Sequence, residues 1–182
     1  MVEINNRTKN RIKIVLVKQI TEKFLQNYKL NKKEVSIAFV GDNEIRKLNK
    51  VYRKIDKATD VLSFSGEDDF LGEIVVDYAQ IKRQAKEFKK NVNQELIFIL
   101  VHGLLHLIGY DDRTEKGRLE MIRLGESFIK KSSIPVLIPS VIDAITPPSP
   151  PSPAANLSVK LSIIYFSVNI FCKYSLLFFY LQ

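Results

Sequence analysis

Between Leu96 and Ile108 the chain reads Leu-Ile-Phe-Ile-Leu-Val-His-Gly-Leu-Leu-His-Leu-Ile, and His102 and His106 are its only two histidines. A stretch this apolar cannot lie on a wet surface. It is also shorter than the roughly 18 residues that a membrane-spanning helix needs. The remaining reading is a buried central helix, running from Asn93 to Ile108, around which everything else must pack. On such a helix positions i and i+4 stack on one face, so both imidazoles point at one spot. Gly109 can take the left-handed conformation that ends a helix. The chain can then turn back and bring Asp112 to the same spot. Two nitrogens and one carboxylate oxygen, with room for water, describe an open metal site of the catalytic kind.

The rest of the chain falls into elements that suit such a centre. Val2 to Ile4 opens a short strand. Ile12, Leu16, Ile20 and Phe24 recur at four-residue spacing between Asn10 and Tyr28, an amphipathic helix. Val35 to Val40 alternates as a strand and ends at Gly41. Asp42 caps the next helix, with Ile45, Leu48 and Tyr52 along one face. Asp60 to Phe64 and Phe70 to Val76 are two strands joined by a polar turn. Helices follow over Tyr78 to Phe88 and, beyond the histidine helix, over Thr114 to Lys130, with Leu119, Ile122 and Phe128 facing inward. The order β-α-β-α-β-β-α-α-α predicts an α+β fold: a small mixed sheet of about four strands, packed with about five helices around a metzincin-like metal helix.

After Ile134 the character changes. Residues 136–156 hold the run Pro147-Pro-Ser-Pro-Pro-Ser-Pro153, a semi-rigid linker. Residues 157–182 are apolar and are read as a non-functional extension in preference to a membrane anchor, since Lys173 interrupts the only stretch long enough to span. The folded domain is thus expected over residues 1–135. The single cysteine, Cys172, excludes an internal disulfide framework, and the N-terminus lacks an apolar signal core, so a cytoplasmic home is expected. The net charge of +8 suits a polyanionic partner such as RNA, although lysine-rich surfaces also serve solubility. Lys9, Arg11, Lys13, Lys18 and Lys23 make the first helix basic. A solvated face is the first reading and RNA contact the second.

Histidines at this spacing also occur as core residues. Gly103 inside the helix, Gly109 at its end and Asp112 beyond it favour the metal reading. Metzincin proteases share the skeleton but carry a glutamate directly after the first histidine as general base. Here that position is Gly103, so peptide hydrolysis lacks its proton acceptor. A second constellation lies at Arg53, between a helix and the loop leading to Asp60. A guanidinium there can clamp a phosphate. It can equally pair with Asp56 or Asp60 to order the loop, and the spacing does not choose between these. Thr59 and Asp60 read as loop-capping residues.

Together, Tyr52-Arg-Lys-Ile-Asp-Lys-Ala-Thr-Asp-Val-Leu-Ser-Phe64 and His102-Gly-Leu-Leu-His-Leu-Ile-Gly-Tyr-Asp111 resemble the YbeY family of single-strand-specific endoribonucleases, as does Leu71-Gly-Glu-Ile-Val-Val76. The resemblance covers about residues 1–135. It implies a zinc ion at His102, His106 and Asp112, and Arg53 as the catalytic residue of an RNA-cleaving cleft. It also implies a role in small-subunit rRNA maturation and ribosome quality control, with ribosome-assembly proteins as partners and no DNA substrate. The family's usual third ligand is histidine, where this chain has Asp112. The added negative charge makes metal-bound water a weaker acid and admits Mn²⁺ more readily. Asp111 is the competing ligand. Two rivals remain, a non-catalytic ribosome-assembly factor with a structural zinc and a metalloprotease.

Overall fold

The structure, a computed structural model, describes residues 1–132. The linker over 136–156 and the tail over 157–182 lie outside the described residues. The elements follow the expected order: β1 (Val2–Asn6), α1 (Ile14–Asn27), β2 (Glu34–Val40), α2 (Asp42–Arg53), β3 (Val61–Ser65), β4 (Phe70–Asp77), α3 (Tyr78–Glu87), α4 (Val92–Leu107) and α5 (Glu115–Lys131). One mixed sheet has the order β1-β2-β4-β3, with β1, β2 and β4 parallel and β3 antiparallel at the edge. Among the described residues no helix is long and apolar enough to cross a membrane.

Alternation along the strands sends side chains to two faces. Ala38, Val40, Leu62 and Val75 point to one face and pack with Ile45, Leu48 and Phe64. That is the face α2 covers. Ile74, Val61 and Ser63 point to the other face, against Gly103 of α4. Helix α4 also packs on α1, α3 and α5, so it is enclosed on every side. This is why its sequence is apolar all round. Its start is fixed by a capping box, in which the Asn91 side chain accepts from the backbone while Gln94 reaches back to the Asn91 N–H.

Two elements differ from their sequence-based outlines. Helix α1 starts at Ile14 rather than near Asn10. The Asn6 side chain accepts from both the Thr8 N–H and its hydroxyl, and Asn6 Nδ2 donates to the Asn10 carbonyl. These local bonds compete with the helix for the same backbone groups. In α2, Ile45 is fully buried but Tyr52 is exposed, because it sits at the edge of the cluster, where its ring meets Phe64.

Candidate metal centre and phosphate site

The C-terminal end of α4 explains how the three candidate ligands meet. Gly109 has φ of 94°, a conformation that a side chain disfavours. From there the Gly109 N–H donates to the His106 carbonyl at 3.0 Å and the Tyr110 N–H to the Leu105 carbonyl at 3.1 Å. This pair of bonds is the Schellman closure of a helix. It folds the Tyr110 carbonyl back to 2.9 Å from His106 Nδ1. A carbonyl only accepts, so Nδ1 carries the hydrogen and the lone pair of a neutral ring sits on Nε2. That nitrogen faces His102 Nε2 at 3.0 Å.

Asp112 completes the group. Its Oδ2 lies 3.6 Å from His102 Nε2 and its Oδ1 3.9 Å from His106 Nε2. Zinc bonds of about 2.0–2.1 Å at tetrahedral angles place ligand atoms roughly 3.3 Å apart. The three observed separations bracket that value. Burial, followed by the nearby charges of His106 and Arg53, pushes His102 down to about 3. At neutral pH it is therefore an uncharged imidazole, the form that binds metal. The ligands present fit a divalent ion with nitrogen and oxygen preferences. Among the described residues this is the group of His, Cys, Asp and Glu side chains that could hold one. Asp111 is engaged elsewhere: its carboxylate accepts from the Arg113 backbone at 3.0 Å and pairs with the Arg113 side chain. The geometry therefore favours Asp112 over Asp111 as the third group.

Gly103 faces away from this cluster. A Cβ built there would meet Ile74 Cγ2 and Ser63 Oγ at 3.2 Å and Val61 Cγ2 at 3.3 Å. Its carbonyl accepts a hydrogen bond from Ser63 Oγ at 3.1 Å. The helix thus approaches β3 closely because residue 103 has no side chain. A glutamate at this position would run into the sheet.

Arg53 is the last residue of α2 and lies near enough to the centre for its charge to act on His102. The loop after it is held by other groups. Lys54 adopts φ of 62° as the helix C-cap. Asn49 Nδ2 donates to the Lys57 carbonyl at 2.8 Å. Asp56 pairs with Arg46 at 2.7 Å and Lys50 at 2.8 Å, which hold its carboxyl at about 2. Asp60 accepts from the Val61 N–H at 2.8 Å, from Gln84 at 2.9 Å and from Thr59 at 3.2 Å. Both acids that might have claimed Arg53 are therefore occupied. Arg53 makes no hydrogen bond or ion pair with the described residues, and it is exposed. Of the two readings its spacing allowed, the loop-ordering pair is absent.

Sequence reasoning did not single out Ser63 or the Tyr110 carbonyl. Ser63 alternates with apolar neighbours in a strand, which marks its face but not its bond. The Tyr110 carbonyl carries no side-chain signal. Of the basic residues expected on the first helix, Lys9, Arg11 and Lys13 precede its start at Ile14; all five are exposed, with Lys18 close to Glu22 and Lys23 donating to the Ser132 carbonyl.

Comparison with known proteins identifies the family. Residues 3–133 match the family model described as Endoribonuclease YbeY. The Endoribonuclease YbeY of Finegoldia magna is 36% identical over 138 residues, spanning 72% of this chain and 85% of that protein. That of Acholeplasma laidlawii is 42% identical over 105 residues, spanning 56% and 77% respectively. The solution structure of a Thermotoga maritima protein superposes with a TM-score of 0.55 at 29% identity, covering 72% of this chain and 89% of the other.

Proposed function

The chain belongs to the endoribonuclease YbeY family, and on that premise we propose that it is a metal-dependent, single-strand-specific endoribonuclease acting on ribosomal RNA. In this reading it serves small-subunit maturation and ribosome quality control in the cytoplasm, with the small subunit and assembly proteins as partners. One joint observation carries the proposal. Two imidazole nitrogens and a carboxylate converge, beside an arginine that no acid holds.

His102, His106 and Asp112 are the residues that would hold the ion, with zinc first and Mn²⁺ second because of the carboxylate. When bound, the ion supplies Lewis-acid polarisation of a phosphoryl oxygen and acidifies water. Arg53 takes the scissile phosphate through two parallel N–H bonds and offsets the charge that builds on its oxygens. Its freedom from protein partners leaves its donors available for that contact. Asp112 is partly open to solvent, so the centre has an accessible side for substrate. The enclosed ring of His102 and the tethered ring of His106 form its fixed wall.

Elemental analysis beside a cleavage assay tests the reading. Purified protein is expected to hold about one metal ion per chain, as an open three-ligand centre does. It should cut single-stranded RNA and spare duplex. His106→Ala should lose both metal and cutting, and Arg53→Ala only the cutting. Protein that cleaves RNA without metal would overturn the metal role. Ribosome binding with no cleavage would favour the assembly-factor rival. Casein digestion blocked by a chelator would revive the protease, which the sheet-facing position of residue 103 disfavours.

A further inference from the structure

Six large hydrophobic side chains are exposed among the described residues. Three of them, Val51 (59% exposed), Tyr52 (63%) and Ile55 (42%), fall within five consecutive positions around Arg53. Single exposed apolar residues are ordinary on a protein surface, whereas a contiguous group marks an interaction site. The group here adjoins the cation that has no protein partner.

Tyr52 is held in place. It stands one turn beyond Leu48 on the face that buries Ile45, at the edge of the cluster. The ring instead meets Phe64 edge to face, with centroids 4.9 Å apart and planes at 68°. This arrangement fixes the ring at one side and leaves most of its surface to solvent. Of Arg46, Lys50, Arg53 and Lys54, one is left open. Arg46 and Lys50 are taken up by Asp56, and Lys54 donates to the Val51 carbonyl at 3.0 Å. Arg53, the residue that follows Tyr52 at the end of the helix, is the cation left. A fixed aromatic surface next to an available cation is how proteins bind single-stranded nucleic acid, stacking a base and neutralising its phosphate.

We infer that Tyr52 stacks one unpaired nucleobase of the RNA substrate next to the phosphate held by Arg53, and so helps make single-strandedness a condition of cleavage. A base inside a duplex has both faces covered and must unpair before it can offer one. The inference rests on the endoribonuclease reading above.

Steady-state cleavage of an unmodified single-stranded oligoribonucleotide by the full chain provides the test. Its companion is a series of substrates in which each nucleotide in turn lacks its base. Tyr52→Ala should lower kcat/KM by roughly 5- to 150-fold, mainly through KM, while Tyr52→Phe stays within about two-fold of the parent. One abasic position should impair the parent to a similar degree and add nothing in Tyr52→Ala. Unchanged kcat/KM in Tyr52→Ala, or an equal abasic penalty in both proteins, overturns the stacking role and leaves the nuclease reading intact. Absence of RNA cleavage by the parent overturns both. Because Tyr52 is exposed, the variant is expected to fold.

Discussion

His106 Nδ1 lies 2.9 Å from the Tyr110 carbonyl, and this bond fixes which ring nitrogen faces Asp112. The bond exists because Gly109 closes the helix with a positive φ. Gly109→Ala should cost about 1–2 kcal/mol of backbone strain. By disturbing the second partner of a ligating ring it should also weaken metal binding by roughly 10- to 100-fold. Thermal unfolding and metal titration read the two effects separately. A variant that loses stability but keeps full metal affinity would show that Tyr110 does not orient the ring.

Arg53 carries no structural load among the described residues. Arg53→Ala should therefore unfold within about 0.5 kcal/mol of the parent, as surface substitutions do. RNA cleavage should fall roughly 100- to 1000-fold, the usual cost of losing one donor to a charged transition state. Arg53→Lys should recover only part of it, because an ammonium lacks the bidentate fork. Denaturant melts beside initial rates check this, and a full rescue by lysine would exclude the clamp.

On the proposed metal reading, Asp112 should set metal preference. Replacing its carboxylate by imidazole in Asp112→His should raise the ratio of zinc to manganese taken up from an equimolar mixture, since imidazole suits zinc and carboxylate suits manganese. Asp112→Ala should lower occupancy with either ion. Elemental analysis after competitive loading decides, and an unchanged ratio would place Asp112 outside the coordination sphere.

Asp77 should make stability depend on pH. Burial, with the Asp42 carboxylate beside it, pushes its pKa up to about 7. The protonated Oδ2 can then donate to Asp42, which gives this buried oxygen the hydrogen bond it otherwise lacks, while Arg83 Nη2, 3.9 Å away, pulls the other way and favours the ionised form. The proton is held more tightly in the folded chain than in the unfolded one. Its contribution to stability is therefore complete below the ordinary carboxylate range and is lost as pH rises through about 7. Asp77→Asn keeps the oxygen that accepts from Ala79 and Gln80. It should gain stability relative to the parent between pH 5 and pH 8, read from urea midpoints. Parallel curves would mean that Asp77 stays ionised throughout.

The sequence disclosed the elements whose signals are periodic and local. An all-apolar helix has one place to go, and the glycine after it made Asp112 reachable. The freedom of Arg53 was not legible, because it depends on where Asp56 and Asp60 turn. Asp56 is taken by Arg46 and Lys50, which lie ten and six residues before it across a left-handed residue at Lys54. Spacing carries no record of that choice. Tyr52 shares the face of Ile45 and Leu48, as its spacing says, but spacing does not record that it meets Phe64 there and still leaves most of its ring to solvent.

Strand β3 presents Ser63 to α4 and Leu62 and Phe64 to α2. Slipping its pairing by one residue would exchange those faces. The serine would then leave the histidine helix, and the aromatic ring that braces Tyr52 would turn away. A misaligned edge strand would thus disturb the proposed metal centre and the proposed RNA-binding side together. The five residues of β3 act as a gauge of correct assembly, so that a molecule able to cut is one whose sheet is in register.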